Sequence, residues 1–306
     1  KISTVNMYHT QTTIHIGANK TASTLLQKKL FSKHKNICYF GEYCENYDDI
    51  KDLIHNMIHE DAYYYDQDEI ISKFSSLIKV ENTNTVFSHE DIMGSSNPTL
   101  AASRLKNIFP KAKVLMIIRN QFDVFPSWYI NHGAYLKNVP KKLWKKFVGV
   151  NEWLDYCFSF PKSSPVQAMN YLKYYKIFSK IFGKENVIVI PYEEIFEDRQ
   201  SFCVKLSSLF DVLPADIQMV LEMKRERPRN TKLHYQIHKT FSFSNKLSQK
   251  INSLMYYLDI SGPAKVKLDK RWIKMIYNEY AEKNYLLASH TGLDLKIYNY
   301  PLKKID

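Results

Sequence analysis

The sequence of 306 residues is missing the patterns that identify several protein classes. No apolar stretch of about 18 residues or more is present, which excludes an ordinary membrane-spanning helix. The chain opens without a signal-peptide pattern. Its four cysteines have neither metal-ligand spacing nor the density of a disulfide scaffold, so we expect reduced thiols. We therefore expect a cytoplasmic protein, while the question of an anchor before Lys1 stays open.

Signatures of nucleic-acid binding are also missing, because there is no zinc-finger spacing, RNA-recognition motif or helix-turn-helix pattern. The formal net charge is nevertheless +12, with a pI near 9.2. Such a surplus suits a protein that handles anions, for example a phosphorylated cofactor, an acidic glycan or a membrane surface. We expect no nucleic-acid partner, and the basic, aromatic segment 232–257 is the candidate for a peripheral membrane contact.

What is present is an alternation of strands and helices. Apolar segments of strand length lie at 12–17, 84–88, 112–118 and 186–190. Because helical stretches separate them, we predict an α/β fold with a central parallel sheet flanked by helices. The chain is 45% hydrophobic, and we expect one domain over 1–306 with a helical C-terminal part from about 232. Ligands of such sheets bind where strands end, which points to Gly17, Ser88, Arg119 and Tyr192.

The segment TTIHIGANKTASTL, residues 12–25, predicts a buried strand, a turn and a helix start. Gly17 permits an unusual backbone at the turn. A helix start offers unpaired N–H groups and a positive dipole end, and Lys20 adds a charge, so we expect an anion to bind here. An ordinary ATP or GTP loop is disfavoured, because only two residues separate Gly17 from Lys20 and no glycine precedes the lysine. Hydroxyl donors follow at Thr21, Ser23 and Thr24.

Two further apolar strands end in residues that suit a nucleotide. The run at 111–119, KAKVLMIIR, ends in Arg119, whose planar fork can give two parallel hydrogen bonds to a phosphate. Ser127 lies eight residues later. The run at 187–198, VIVIPYEEIFED, passes Tyr192 before an acidic helix start. An arginine or tyrosine at a strand end is also a common surface residue, so the order of the segments matters more than any one of them.

In that order, the segments resemble the motifs of sulfotransferases that use 3′-phosphoadenosine-5′-phosphosulfate (PAPS), most of all the bacterial carbohydrate sulfotransferases. Residues 20–24, KTAST, are similar to the family's Lys-Thr-Gly-Thr/Ser-Thr loop for the 5′-phosphosulfate, with Ala22 in place of glycine. An alanine there predicts that this position has no positive φ. The resemblance implies a P-loop NTPase-like sulfotransferase fold.

The resemblance also implies roles for individual residues. The loop of Lys20, Thr21, Ala22, Ser23 and Thr24 would hold the 5′ end of PAPS. Arg119 and Ser127 would bind the 3′-phosphate, and Tyr192 would lie near the adenine. The segment RERPRNTK, residues 225–232, is similar to the Arg-rich loop that closes over the nucleotide, and its candidates are Arg227, Arg229, Asn230 and Thr231.

The implied reaction transfers the sulfuryl group from PAPS to an acceptor hydroxyl by in-line attack and releases PAP. Such a reaction needs a general base and a group that stabilises the leaving phosphate, and it requires no metal ion. Lys20 is our candidate for the stabilising group. For the base we rank His89, whose ordinary pKa of ~6.5 is suitable, and Glu90 before Glu42, and the choice stays open. Glu42 lies 22 residues after Lys20, a spacing similar to that of the base in carbohydrate and protein-tyrosine sulfotransferases.

The resemblance implies a saccharide acceptor, either a polysaccharide or a glycolipid, whose identity the sequence does not give. Aromatic residues after the Arg119 motif are candidates for stacking on sugars or for the core. The alternatives are a nucleotide-dependent kinase, with Asp91 as a metal ligand, and a noncatalytic protein that binds anions or nucleic acid. The oligomeric state stays open. The aromatic candidates are Trp128, Tyr129, Tyr135 and Trp144.

Overall fold

A computed structural model provides the structure, and its contacts group the chain into two compact units. The first unit comprises Lys1–Arg119 and Tyr171–Met223, and the second comprises Asn120–Asn170 and Lys224–Asp306. The structure describes residues 11–17, 20–59, 63, 65–78, 84–133, 147–163, 165–223, 231–240, 250–251, 253–254, 258 and 262–304.

The first unit is built on a five-stranded parallel sheet. Its order is β2-β3-β1-β4-β5, and every neighbouring pair runs parallel. Every residue of β2 and β3 is buried, as expected for a parallel sheet that helices cover on both faces. The predicted α/β fold with a central parallel sheet is thus confirmed. The strands are β1 Gln11–His15, β2 Ile37–Gly41, β3 Asn84–Ser88, β4 Lys113–Ile118 and β5 Val187–Pro191.

The sequence analysis located four of these strands and missed β2. Its residues form a short apolar run between turns, a pattern that does not separate a strand from a buried helix segment. Gly41, the last residue of β2, lies beside Ser88 of β3. A Cβ at Gly41 would collide with the Tyr39 hydroxyl and the Ser88 carbonyl oxygen, so only glycine allows this close approach.

Helices of the first unit cover the sheet, and two of them begin at conventional N-terminal caps. Asn97 accepts a hydrogen bond from the Leu100 amide at the start of Pro98–Ile108, and Asp198 caps Arg199–Phe210 in the same way. The helix after β1 begins as Ser23–Leu25 and continues as a π-helix over Leu26–Phe31. The other helices are Tyr47–His59, Gln67–Leu77, Tyr171–Phe182, Glu194–Glu197 and Pro214–Glu222.

The core of the first unit lies between the sheet and these helices. Leu30 and Phe31 of the π-helix share one buried cluster with Leu115 of β4 and Phe202 of Arg199–Phe210. The Phe31 ring makes an edge contact with the His15 ring at 5.9 Å. Burial of so many large apolar groups is the main force that fixes the strand ends, and with them the site.

The second unit is helical in its described part. Its longest helix, Lys270–Thr291, begins at an Asp269 cap and ends at Gly292 in the left-handed conformation. Two buried side-chain amides bind each other in both directions: Gln121 donates to Asn284 at 3.1 Å, and Asn284 donates back at 2.9 Å. The other helices are Gln121–Trp128, which continues as a π-helix over Tyr129–Gly133, then Val150–Ser159, Pro165–Ala168 and Lys232–Thr240.

All four cysteines are free thiols, and three of them are buried. Among the described helices, none is both long enough and apolar enough to cross a membrane.

Candidate functional site

The anion-binding loop predicted at 20–24 follows β1 and leads into the helix that begins at Ser23. Lys20 and Ala22 both adopt positive φ, at 72° and 65°. The prediction that alanine excludes positive φ at position 22 is therefore wrong. Alanine enters the left-handed region at a cost of about 1–2 kcal/mol, and here Ala22 is the cap of the helix. Its carbonyl oxygen accepts hydrogen bonds from the amides of Leu25 and Leu26 at 2.9 and 3.2 Å.

Hydroxyl groups line the inner side of this loop. Thr21 and Ser23 are buried, and their Oγ atoms lie 3.3 Å apart. Thr24 is half-buried on the first helical turn. A Cβ at Gly17 would lie 2.8 Å from Ser23 Oγ, so a glycine is required for the strand to pass this close to the helix start.

Arg119 connects this loop with the neighbouring strand ends. It follows β4, and its Nη1 donates to the Lys20 carbonyl oxygen at 2.9 Å. The guanidinium carbon lies 4.7 Å from the centre of the Tyr192 ring, a cation–π contact. The Tyr192 amide in turn donates to the Ile118 carbonyl oxygen at 2.7 Å. The three predicted residues Lys20, Arg119 and Tyr192 meet because β1, β4 and β5 are neighbours in the sheet.

Tyr171 holds Arg119 in place and was not identified from the sequence. Its hydroxyl donates to the Arg119 carbonyl oxygen at 2.8 Å and accepts from the Arg119 amide at 3.3 Å. Burial raises the pKa of this hydroxyl, so it stays a neutral donor and acceptor. No local pattern marks Tyr171, because its partner is 52 residues earlier in the chain.

The candidates for the base lie at the ends of β2 and β3. The Asp91 amide donates to His89 Nδ1 at 3.3 Å, so the neutral imidazole carries its proton on Nε2. Burial lowers the pKa of His89, and the negative charges of Asp91 and Glu42 oppose this shift in part. His59 adds a second imidazole 3.7 Å from the Asp91 carboxylate. Glu42 directly follows β2 and is exposed, while Glu90 is half-buried in the short turn Glu90–Ile92.

A buried polar row beneath the loop also escaped the sequence analysis. His15 of β1 lies beside Ser88 of β3, with its Nδ1 2.7 Å from Ser88 Oγ. The Gln27 side chain donates to the same oxygen at 3.0 Å. Burial lowers the pKa of His15 from 6.5 to about 4. A histidine at an inward position of an apolar strand was the available signal.

Other predicted ligands belong to the second unit. Ser127 is half-buried on Gln121–Trp128, and its carbonyl oxygen accepts from the Asn131 side chain at 2.7 Å. Thr231 is buried, pairs with Pro263, and accepts a hydrogen bond from the His234 amide at 3.2 Å. These contacts give the Thr231 hydroxyl a structural role at the start of Lys232–Thr240. The remaining candidates of that segment, Arg227, Arg229 and Asn230, lie outside the described residues.

Of the four aromatic candidates for sugar stacking, two lie among the described residues and two lie outside them. Trp128 and Tyr129 are buried, and the Tyr129 hydroxyl donates to the Val148 carbonyl oxygen at 2.7 Å, so both belong to the core. Tyr135 and Trp144 lie outside the described residues. Within the part of the chain that the structure describes, no cluster of His, Cys, Asp or Glu is arranged to hold a metal ion.

Comparison with known proteins gives one strong match. A family model described as a sulfotransferase domain matches residues 11–257. A sulfotransferase from Alicyclobacillus acidocaldarius is 16% identical, with 81% of this chain and 96% of that chain covered and a TM-score of 0.49. Mouse sulfotransferase SULT7A1, solved in complex with PAP, is 15% identical, with coverages of 78% and 69% and a TM-score of 0.40. The sulfotransferase domain of the curacin biosynthetic pathway is 15% identical, with coverages of 96% and 99% and a TM-score of 0.40.

No curated protein sequence matches the chain. Family membership rests on the domain match. That match runs from β1 through β5 and includes the loop at 20–24, Arg119 and Tyr192. The chain therefore belongs to the sulfotransferase domain family, whose members transfer sulfuryl groups to hydroxyl-bearing acceptors.

Proposed function

We propose that this protein transfers the sulfuryl group of PAPS to a hydroxyl of a saccharide and releases PAP. The observation that carries the proposal is the meeting of Lys20, Arg119 and Tyr192 at the ends of three neighbouring strands, in a chain of the sulfotransferase family. A lysine, an arginine with its guanidinium fork and an aromatic ring are side chains that suit a phosphorylated nucleotide.

The loop at 20–24 is our site for the 5′ end of PAPS. Its left-handed turn leads directly into a helix start, whose amide groups would bind an anion together with the hydroxyls of Thr21, Ser23 and Thr24. When bound there, PAPS supplies the activated sulfuryl group. The charge of Lys20 would stabilise the bridging oxygen as the bond to sulfur breaks.

Arg119 is our main ligand for the 3′-phosphate. One of its N–H groups is used by the Lys20 carbonyl oxygen, and a guanidinium has five N–H groups in total. Ser127, Arg227, Arg229 and Asn230 remain proposed partners in this role. Thr231 is the weakest candidate, because its hydroxyl already caps a helix. Tyr192 remains the proposed neighbour of the adenine.

For the base we now place Glu42 before His89 and Glu90. The Asp91 amide occupies the Nδ1 lone pair of His89, and the neutral ring then has a hydrogen on Nε2, which makes it a donor and not a proton acceptor. Glu42 is exposed at the end of β2, and its charge acts on His89. A carboxylate with a neighbouring N–H donor is a reasonable pair for taking a proton from an acceptor hydroxyl.

The proposal also covers the domain organisation, the location and the partners of the protein. We propose one sulfotransferase domain over 1–306 with a helical C-terminal part, since the family match includes segments of both compact units. Four free thiols support a cytoplasmic location. We retain a peripheral membrane contact through 232–257, where Lys232–Thr240 exposes Leu233, and we expect no nucleic-acid partner.

The proposal is tested by calorimetric titration of the purified protein with PAP, with ATP and 5′-AMP as controls, first without added metal and then with magnesium. Selective binding of PAP, followed by labelled sulfate transfer from PAPS to members of a saccharide panel, is the expected result. Preference for ATP with magnesium would favour a kinase. PAP binding without transfer to any acceptor would favour a noncatalytic protein.

A further inference from the structure

The buried polar row of His15, Ser88 and Gln27 lies beneath the anion-binding loop and has no role in the scheme above. The register of β1 and β3 sets His15 directly beside Ser88, and Gln27 reaches the same hydroxyl from the π-helix. All three side chains are almost completely buried. Polar groups at such depth are costly unless each has a defined partner.

The hydrogen bonds of this row select one form of the His15 ring. The Gln27 amide nitrogen donates to Ser88 Oγ at 3.0 Å, and His15 Nδ1 lies 2.7 Å from the same oxygen. Among the described residues, His15 Nδ1 is the acceptor within reach of the single hydroxyl hydrogen of Ser88, so this hydrogen points at Nδ1. The ring is therefore neutral and carries its hydrogen on Nε2. Burial keeps it neutral throughout the usual assay range, since the pKa of His15 is lowered to about 4.

The Nε2–H group of His15 lies beside Gly17, shortly before the loop. It has no hydrogen-bond partner among the described residues and is fully buried. It lies 2.5 Å from the position that a Cβ at Gly17 would take, and Ser23 Oγ lies 2.8 Å from the same position. The histidine donor and the serine hydroxyl thus both lie close to the same point beside Gly17.

We propose that His15 is a positioning residue for the loop: when an anion binds, His15 Nε2–H donates to Ser23 Oγ and turns the hydroxyl hydrogen of Ser23 towards the anion. The inference rests on the proposed function, because the anion that it serves is the 5′-phosphate end of PAPS or PAP. A donor fixed from below would leave Ser23 with a single productive orientation, which lowers the cost of ordering it on binding.

Two conservative variants separate the two ring nitrogens. In His15→Asn, the side-chain oxygen can replace Nδ1 as the acceptor for Ser88, but nothing replaces Nε2–H. In His15→Gln, the amide NH₂ group reaches the position of Nε2. We expect His15→Asn to weaken PAP binding about tenfold and His15→Gln to change it less than about threefold. His290→Asn, at an exposed histidine of the second unit, is the matched control and is expected to bind PAP normally.

A purely structural role would lower the stability to urea and the PAP affinity of both variants together, and that outcome would overturn the proposal.

The second readout is spectroscopic. Long-range ¹H–¹⁵N correlation spectra of histidine-labelled protein, with the His15 signals identified by their loss in His15→Gln, should show hydrogen on Nε2 and a shift of that nitrogen when PAP is added. Hydrogen on Nδ1, or an Nε2 signal unmoved at saturating PAP, would contradict the assignment.

The same spectra keep the two proposals distinguishable. If the wild-type protein fails to bind PAP, the proposed donor is wrong, and inorganic pyrophosphate then becomes the probe for His15. A movement of the Nε2 signal with pyrophosphate supports the positioning role for a different anion. An unmoved signal at pyrophosphate concentrations that protect the loop from proteolysis overturns it.

Discussion

Arg119 Nη1 donates a hydrogen bond of 2.9 Å to the carbonyl oxygen of Lys20, although 99 residues separate the two. The contact joins the end of β4 to the turn that follows β1. It means that Arg119 supports the backbone of the loop as well as offering charge to a ligand. Effects of substitution at Arg119 should therefore be larger than the loss of one phosphate contact.

Arg119→Lys tests this double role. Lysine keeps the charge but lacks the planar fork, so it cannot bind a phosphate with two parallel hydrogen bonds while also bonding the Lys20 carbonyl oxygen. We expect the Kd for PAP, measured by calorimetry, to rise about tenfold or more. Arg271→Lys is the control, because Arg271 is an exposed arginine paired with Asp155 in the second unit. Equal affinities for Arg119→Lys and wild type would rule out a fork-specific contact.

Lys20→Ala should separate turnover from binding. If its ammonium acts mainly on the leaving oxygen, sulfate transfer falls about 10²-fold or more while the affinity for PAP changes far less, because PAP lacks the sulfate. Transfer from labelled PAPS to an acceptor found in the saccharide panel is the assay. Lys176→Ala, on an exposed face of Tyr171–Phe182, is the matched control. Parallel losses of binding and turnover would make Lys20 only a binding residue.

Three single variants address the proton acceptor. Glu42→Gln should lower the rate of transfer by about 10²-fold or more and leave the PAP affinity unchanged. His89→Asn retains an acceptor for the Asp91 amide and should lower transfer less than Glu42→Gln does. Glu90→Gln is expected to have the smallest effect. Full activity of Glu42→Gln together with an inactive His89→Asn would restore the imidazole as the base.

Ala22→Gly should stabilise the protein or leave its stability unchanged. Alanine in the left-handed region costs about 1–2 kcal/mol, and glycine removes this cost. Glycine also has more conformational freedom in the unfolded chain, which takes back about 0.5–1 kcal/mol of the gain in stability. The expected gain in the free energy of unfolding is about 0.5–1 kcal/mol. Ala288→Gly, inside Lys270–Thr291, should instead lose about 1 kcal/mol. Urea unfolding measures both, and similar losses in the two variants would refute a strained Ala22.

The lowered pKa of His15 predicts a dependence of stability on pH. The unfolded chain binds a proton at His15 near pH 6.5, whereas the folded protein does so only near pH 4. Stability from this group is thus complete above about pH 6.5 and is lost as the pH falls towards 4, by about 3 kcal/mol in total. Compared with His15→Gln, the wild type should therefore lose unfolding free energy as the pH falls from about 6.5 towards 4. His290→Gln, at an exposed position of the second unit, is the control variant.

The sequence identified those site residues whose neighbours in the chain carry the signal. Lys20, Arg119 and Tyr192 each follow an apolar strand, and adjacent parallel strands bring their ends together. His15 and Tyr171 were not identified, because their roles depend on strand register and helix packing across 73 and 52 residues. The wrong prediction at Ala22 has another origin: a residue type sets an energy cost for a conformation, and the surrounding contacts decide whether the fold accepts that cost.

The reciprocal amide pair of Gln121 and Asn284 bears on where this protein can be cut. The family domain ends at residue 257, but Asn284 and the carbonyl oxygen of Pro301, which it also binds at 3.1 Å, lie beyond that point. Asn120 likewise donates to the carbonyl oxygens of Tyr298 and Asn299. A fragment trimmed to the family domain would remove these partners from Asn120 and Gln121, both of which are buried. We therefore expect a piece that ends at residue 257 to be less stable than the full chain.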